Sequence, residues 1–122
     1  MRIVIFSDVH ANLQALRAVL EHANENWPGS RKICLGDTVG YGANPVECLN
    51  IVRRVCSEVA PLRGNHDHGA ICEDNIAPGT NEVARCAMLW THRQVENAGL
   101  ISYLRSLVSE HVEGDLHFVH GS

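Results

Sequence analysis

The chain has 122 residues, 45 % of them apolar and 20 % charged, which fits one packed domain and excludes a multi-domain machine, a disordered chain and a fibrous repeat. Ten Lys plus Arg against fourteen Asp plus Glu leave a formal charge of −4, so no broad cationic surface is offered to nucleic acid or to an anionic membrane. No window approaches the roughly 18 consecutive apolar residues of a membrane span. Five Cys without a CxxC pair, and no signal peptide ahead of Ile3, point to free thiols in a reducing cytoplasm.

In chain order, Ile3 to Phe6 is a short β-branched run without alternation, the pattern of a strand buried on both faces of a parallel sheet. Leu13, Leu16, Val19, Leu20 and Ala23 then fall at three- and four-residue spacing, an amphipathic helix that ends between Asn24 and Ser30. Ile33-Cys34-Leu35 is a second strand. After a glycine-rich loop, Asn44-Pro45 with Glu47 supplies an N-cap, an N1 proline and a first-turn acid for a helix through Val46, Leu49, Val52 and Val55. Val59 to Leu62 predicts a third strand, with Pro61 marking an edge or an end. The stretch from Gly64 to Thr80 is polar and irregular. Helices are expected from about Asn81 to His92 and around Leu100, Leu104 and Leu107. Val112 to Leu116 predicts a turn between two strands, the second running from Leu116 to Val119.

Polar residues with ligand chemistry follow each of the first three apolar runs: Asp8-Val9-His10, Gly36-Asp37 and Gly64-Asn65-His66-Asp67. They recur roughly 30 residues apart, one βα unit each, which brings all three groups to the carboxyl edge of a parallel sheet, where such folds bind ligands. Two carboxylates, an amide and two imidazoles at one edge can bind metal. On an extended strand end Asp8 and His10 point the same way and can chelate one ion. Asp37, in the middle of the array, is the expected shared ligand. Gly36 and Gly64 permit sharp turns and close backbone approach. The bland alternatives are turn or helix capping for Asp37 and Asp67 and a left-handed turn position for Asn65. His68 reads as a solvated loop residue, His22, His92, His111 and His117 as surface or packing residues, and most of the Cys as small core hydrophobes. Arg63 reads as a structural ion-pair partner sooner than a phosphate contact.

Asp8-x-His10, Gly36-Asp37, Gly64-Asn65-His66-Asp67 and His120, in that order, resemble the calcineurin-like metallophosphoesterases, over the whole of Met1 to Ser122. The resemblance implies an αββα sandwich, of which residues 1–122 would be a single metallophosphoesterase domain incomplete at its C-terminus: a βαβαβ sheet, further helices and the start of a second sheet. It also implies two divalent metal ions (Mn, Fe, Zn, Ni or Mg). By matching position, Asp8 and His10 would hold the first ion, Asp37 would bridge, Asn65 and His120 would hold the second, and Asn65 and His66 would meet the substrate, with His66 facing the phosphate. The family's final Gly-His-x-His motif is absent from these residues, so the expectation is a truncated chain short of ligands, with His120 as its weakest point. An arginine by which the protein phosphatases of the family grip phosphate is also missing, since Gly42 is followed by Ala43. That favours the small bacterial and archaeal phosphodiesterase-like subgroup.

The activity implied is hydrolysis of small phosphate esters, as a phosphodiesterase or phosphatase, by a dinuclear centre with a metal-bridging hydroxide as nucleophile. His66 would stabilise the transition state and protonate the leaving alkoxide. The rival readings are a non-catalytic scaffold of the same fold and an inactive fragment. An uncovered strand edge near residues 112–119 makes a homo-oligomer the expected state of association.

Overall fold

A computed structural model describes residues 1–121. β1 (Ile3–Phe6) pairs in parallel with β2 (Arg31–Cys34), Ile3 opposite Arg31 and Phe6 opposite Cys34, and α1 (Leu13–Asn26) makes the crossover between them. Asn12 caps α1 as a turn-forming residue should, its Oδ1 accepting the Ala15 N–H at 3.0 Å. The buried stripe of α1 is Leu13, Leu16, Leu20 and Ala23, four of the five predicted positions; Val19 is instead exposed. α2 (Pro45–Val55) begins on the predicted proline, and Cys48, Leu49 and Val52 turn inward.

β2 alternates. Cys34 faces α1 and α2, in a cluster with Leu16, Leu20, Val52 and Cys56, whereas Ile33 faces the other way and packs with Val59, Leu62 and Phe118. Phe118 belongs to β4 (Leu116–Val119), which pairs antiparallel with β3 (Glu110–Glu113) across the predicted turn. Helices therefore lie on one face of the β1–β2 sheet and a hairpin on the other, the mixed α/β layering that a sandwich requires. A second helical layer packs against α2 through one core of Leu49, Ile71, Met88, Val95, Leu100 and Leu104. It consists of α3 (Asn65–Ile71), α4 (Glu82–Asn97) and α5 (Ile101–Ser106).

Four expectations are corrected. Val59–Leu62 forms no strand: Leu62 donates to the Cys34 carbonyl at 2.9 Å, but Pro61 has no N–H with which to extend the ladder. β1 is not covered on both faces, since Ile5 is 51 % exposed. α4 continues past His92 to Asn97 because Val95 is still buried in the core, and Gly99, at φ +72°, follows its end. The stretch after Gly64 is not irregular throughout, for residues 65–71 are helix and Glu73–Asn75 a 3-10 turn.

Arg31, at the start of β2, ties the two sheets together through a forked pair of bonds to Glu113 of β3, at 2.8 and 2.5 Å. The Arg31 guanidinium holds the Glu113 carboxyl below the ordinary glutamate range. A group whose folded pKa is depressed stabilises above its unfolded value, 4.5 here, and loses that contribution as pH falls further. Glu113→Gln should therefore melt below the parent at pH 7, and the two melting curves should converge as pH falls below 4.5. A gap that persists in acid would show that the charge of Glu113 is not what stabilises the link.

Candidate metal centre

The loops after β1 and β2 are zipped together by backbone. Asp8 N–H donates to Gly36 O (3.0 Å), His10 N–H to Asp37 O (3.0 Å) and Ala11 N–H to Thr38 O (2.9 Å). To make these bonds the chain turns sharply at Asp8, His10, Ala11, Asp37 and Tyr41, all in the left-handed region with φ between +48° and +66°. Such strain costs of order 1–3 kcal/mol per residue and collects at functional sites. The expected extended strand end at Asp8 and His10 is thus overturned. Their side chains converge, but through left-handed turns and not through strand periodicity.

The convergence itself is close. Asp8, His10 and Asp37 each present a ligand atom, and these atoms lie within 4.8 Å of one another. The Nδ1–H of His10 donates to the Val39 carbonyl at 3.2 Å, so its Nε2 carries the lone pair, and that lone pair faces Asp8 Oδ1 at 3.4 Å and Asp37 Oδ2 at 3.7 Å. The same pattern occurs on the other side. The Nδ1–H of His120 donates to the Leu35 carbonyl at 2.9 Å, and its Nε2 faces Asn65 Oδ1 at 3.0 Å and Asp37 Oδ2 at 3.4 Å. Asp37 Oδ1 is fixed by the His66 backbone N–H at 2.8 Å. Asp37 Oδ2 therefore stands between two imidazole lone pairs.

An imidazole fixed by a backbone carbonyl through one nitrogen, with oxygen donors gathered at the other, is the usual form of a histidine ligand. The donor set of oxygens and imidazoles fits divalent ions of the magnesium-to-zinc range. His120 is well held, its side chain 8 % exposed, and is not the frayed end that its place in the sequence suggests.

Gly64 is required where it stands, because a Cβ there would overlap the Asp37 carboxylate. Asp67, fully buried, accepts backbone N–H bonds from Asp37 (2.8 Å), Val39 (3.1 Å) and Gly64 (2.9 Å). Burial pushes its pKa up to about 6 against the pull of those three donors, so at pH 7 it is the carboxylate that joins the Asp37 loop to the start of α3. Capping, one of the alternatives read from the sequence, is what Asp67 does. The signal was there: an acid three residues after a turn glycine is the reach-back half of a capping box.

His66 lies edge-on to His10, ring centroids 4.8 Å apart, and against the half-exposed Tyr41 at 4.6 Å. Burial holds its imidazole below the ordinary histidine range, and Nδ1 is enclosed without a hydrogen-bond partner. Gly40, at φ +97°, makes room for it, since a Cβ would stand 2.6 Å from that nitrogen. The sequence marks Gly40 and Tyr41 as part of a glycine-rich loop without giving either a role at the site; their placement follows from the left-handed turn of the loop. Arg63 donates to the Arg105 carbonyl at 3.3 Å, a backbone tether in place of the expected ion pair. His68 lies on α3, and His92 ties α4 to α3 through Ala70 O at 2.8 Å. Cys34, Cys48 and Cys56 are buried thiols pushed up to about 11, 11 and 12, which makes them core residues and not nucleophiles.

Three comparisons bear on this geometry. A family model described as calcineurin-like phosphoesterase matches residues 1–122. An uncharacterised protein of Methanocaldococcus jannaschii is 39 % identical over 116 residues, covering 92 % of this chain and 45 % of that protein. The crystal structure of a metallophosphoesterase from Sphaerobacter thermophilus superposes with a TM-score of 0.80 at 43 % identity, covering 100 % of this chain and 47 % of that one. The chain spans about half the length of both relatives.

Proposed function

From the premise that this chain belongs to the calcineurin-like phosphoesterases, we propose that it supplies the metal-binding half-site of a metal-dependent hydrolase of small phosphate esters. The observation that carries this reading is the pair of carbonyl-fixed imidazoles whose lone pairs meet at Asp37 Oδ2. Asp8, His10 and Asp37 would hold one divalent ion, and Asn65, His120 and the same Asp37 a second. Bound there, the ions supply Lewis-acid polarisation of the phosphoryl oxygens and a water acidic enough to attack at neutral pH. No helix among the described residues is long and apolar enough to cross a membrane, and five free thiols suit a cytoplasmic setting.

The chain's own residues do the rest. Asp37 orients the start of α3 through the His66 N–H. With Nδ1 enclosed, His66 has Nε2 left for substrate, where it donates to the ester oxygen as the P–O bond lengthens and the charge on that oxygen grows. Removing His66 should then lower turnover and leave metal in place. The expected result for His66→Ala is a fall of roughly 10²- to 10⁴-fold in turnover of a generic phosphodiester, with unchanged metal content by elemental analysis. Loss of metal in that variant would make His66 a ligand and overturn its role at the phosphate.

A further inference from the structure

On the side of His66 away from His10 the surface opens into a cleft of about 330 Å³, at the small end of the range for small-molecule sites. It adjoins the candidate centre, because Tyr41, Asn65 and His66 line it together with Ile76, Ala77, Ala84 and Met88. None of its lining residues is Asp, Glu, Lys or Arg. Two of its polar side chains spend their donors on backbone: Asn75 Nδ2 on His68 O at 3.0 Å and Thr80 Oγ1 on Ala77 O at 2.6 Å. Across Tyr41 the neighbouring cleft differs in kind, lined by Asp8, His10, Asn12, Gln14 and Asn44.

Resting on the phosphoesterase reading, we propose that the cleft beside His66 seats the alcohol portion of the substrate, and that this alcohol is an uncharged, ring-sized group with an apolar face, a phenyl ester being its simplest member. A wall without Asp, Glu, Lys or Arg offers no charged partner to offset the desolvation of a charged group. An apolar ring, by contrast, gains by covering Ile76, Ala84 and Met88. The same placement puts the ester oxygen of that alcohol at the His66 end of the cleft, where an Nε2–H hydrogen bond can meet the charge that grows on it.

The chain has two methionines, Met88 in the cleft wall and the fully exposed Met1, so methyl-labelled methionine supplies a probe and its own control. Benzylphosphonate, in which CH₂ replaces the ester oxygen of phenyl phosphate, and ethylphosphonate would be titrated against the zinc-loaded chain by calorimetry and by methyl NMR. Benzylphosphonate should bind at least about tenfold more tightly and shift the Met88 methyl signal by its ring current, leaving Met1 still. Ala84→Phe, which fills the cleft from a half-buried helix position, should abolish that preference. Equal binding of the two phosphonates, or tighter benzylphosphonate binding with a motionless Met88 signal, would overturn the assignment and leave the phosphoesterase reading standing. Failure of both to bind would overturn the two together.

Discussion

Asp37→Asn should strip the chain of most of its bound divalent metal and cost at least about 10²-fold in phosphoester hydrolysis, a larger loss than either His10→Ala or Asn65→Ala. The reason lies in what each oxygen of Asp37 does. Oδ1 takes the His66 N–H, and asparagine keeps an oxygen for that bond, so the turn into α3 survives. Oδ2 faces the lone pairs of both His10 and His120. An amide NH₂ there would donate to one imidazole and satisfy it without a metal, removing the negative charge that the two proposed ions would share. His10 and Asn65 each face one side only, so their loss should leave the other side able to bind. Elemental analysis and metal titration by calorimetry check the ranking. Equal metal in Asp37→Asn and the parent would end the assignment of Asp37 as the shared ligand.

Why so much of this centre was legible follows from the local nature of its signals. β-branched runs, helix stripes and their caps are short-range, and in a parallel sheet they dictate which edge collects the loops. Asp8, His10, Asp37 and Asn65 could thus be assigned to one place from spacing alone. His120 came only through resemblance, since its approach to Asn65 depends on the hairpin docking across β2, a contact between distant parts of the chain. The reading failed where backbone conformation departs from what the side chains prefer. Five non-glycine residues adopt left-handed φ values in these loops, which propensity alone does not predict. Tertiary bonds to Gly36, Asp37 and Thr38 impose the turns at Asp8, His10 and Ala11. α3 was hidden for a related reason: its sequence, Asn-His-Asp-His-Gly, is a poor helix former, and what nucleates it is Asp67 reaching back to Gly64 while it also holds the loop after β2.

Asp67 is accordingly the residue whose loss should do most damage to the fold. Three backbone N–H groups, those of Asp37, Val39 and Gly64, depend on one carboxylate that is fully buried. An orphaned buried donor costs about 1–3 kcal/mol. Part of that is returned because a buried charge is also removed, so Asp67→Ala should lose roughly 3–5 kcal/mol, a large share of the roughly 5–15 kcal/mol available to a domain. Asp67→Asn separates charge from shape. Its oxygen can serve the Asp37 and Gly64 donors at the Oδ2 position, but its NH₂ then opposes the Val39 N–H, and the expected loss is smaller, about 1–3 kcal/mol. Because the Val39 carbonyl holds His10 Nδ1, displacing the Val39 N–H in Asp67→Asn should also weaken metal binding, although Asp67 is itself no ligand. Urea unfolding of the metal-free proteins gives the stability order, and zinc titration of the folded variants gives the second effect. If Asp67→Asn matches the parent in both, the three bonds do not hold the metal loops in place, and the left-handed turns at Asp8, His10 and Asp37 must be maintained by the backbone ladder alone.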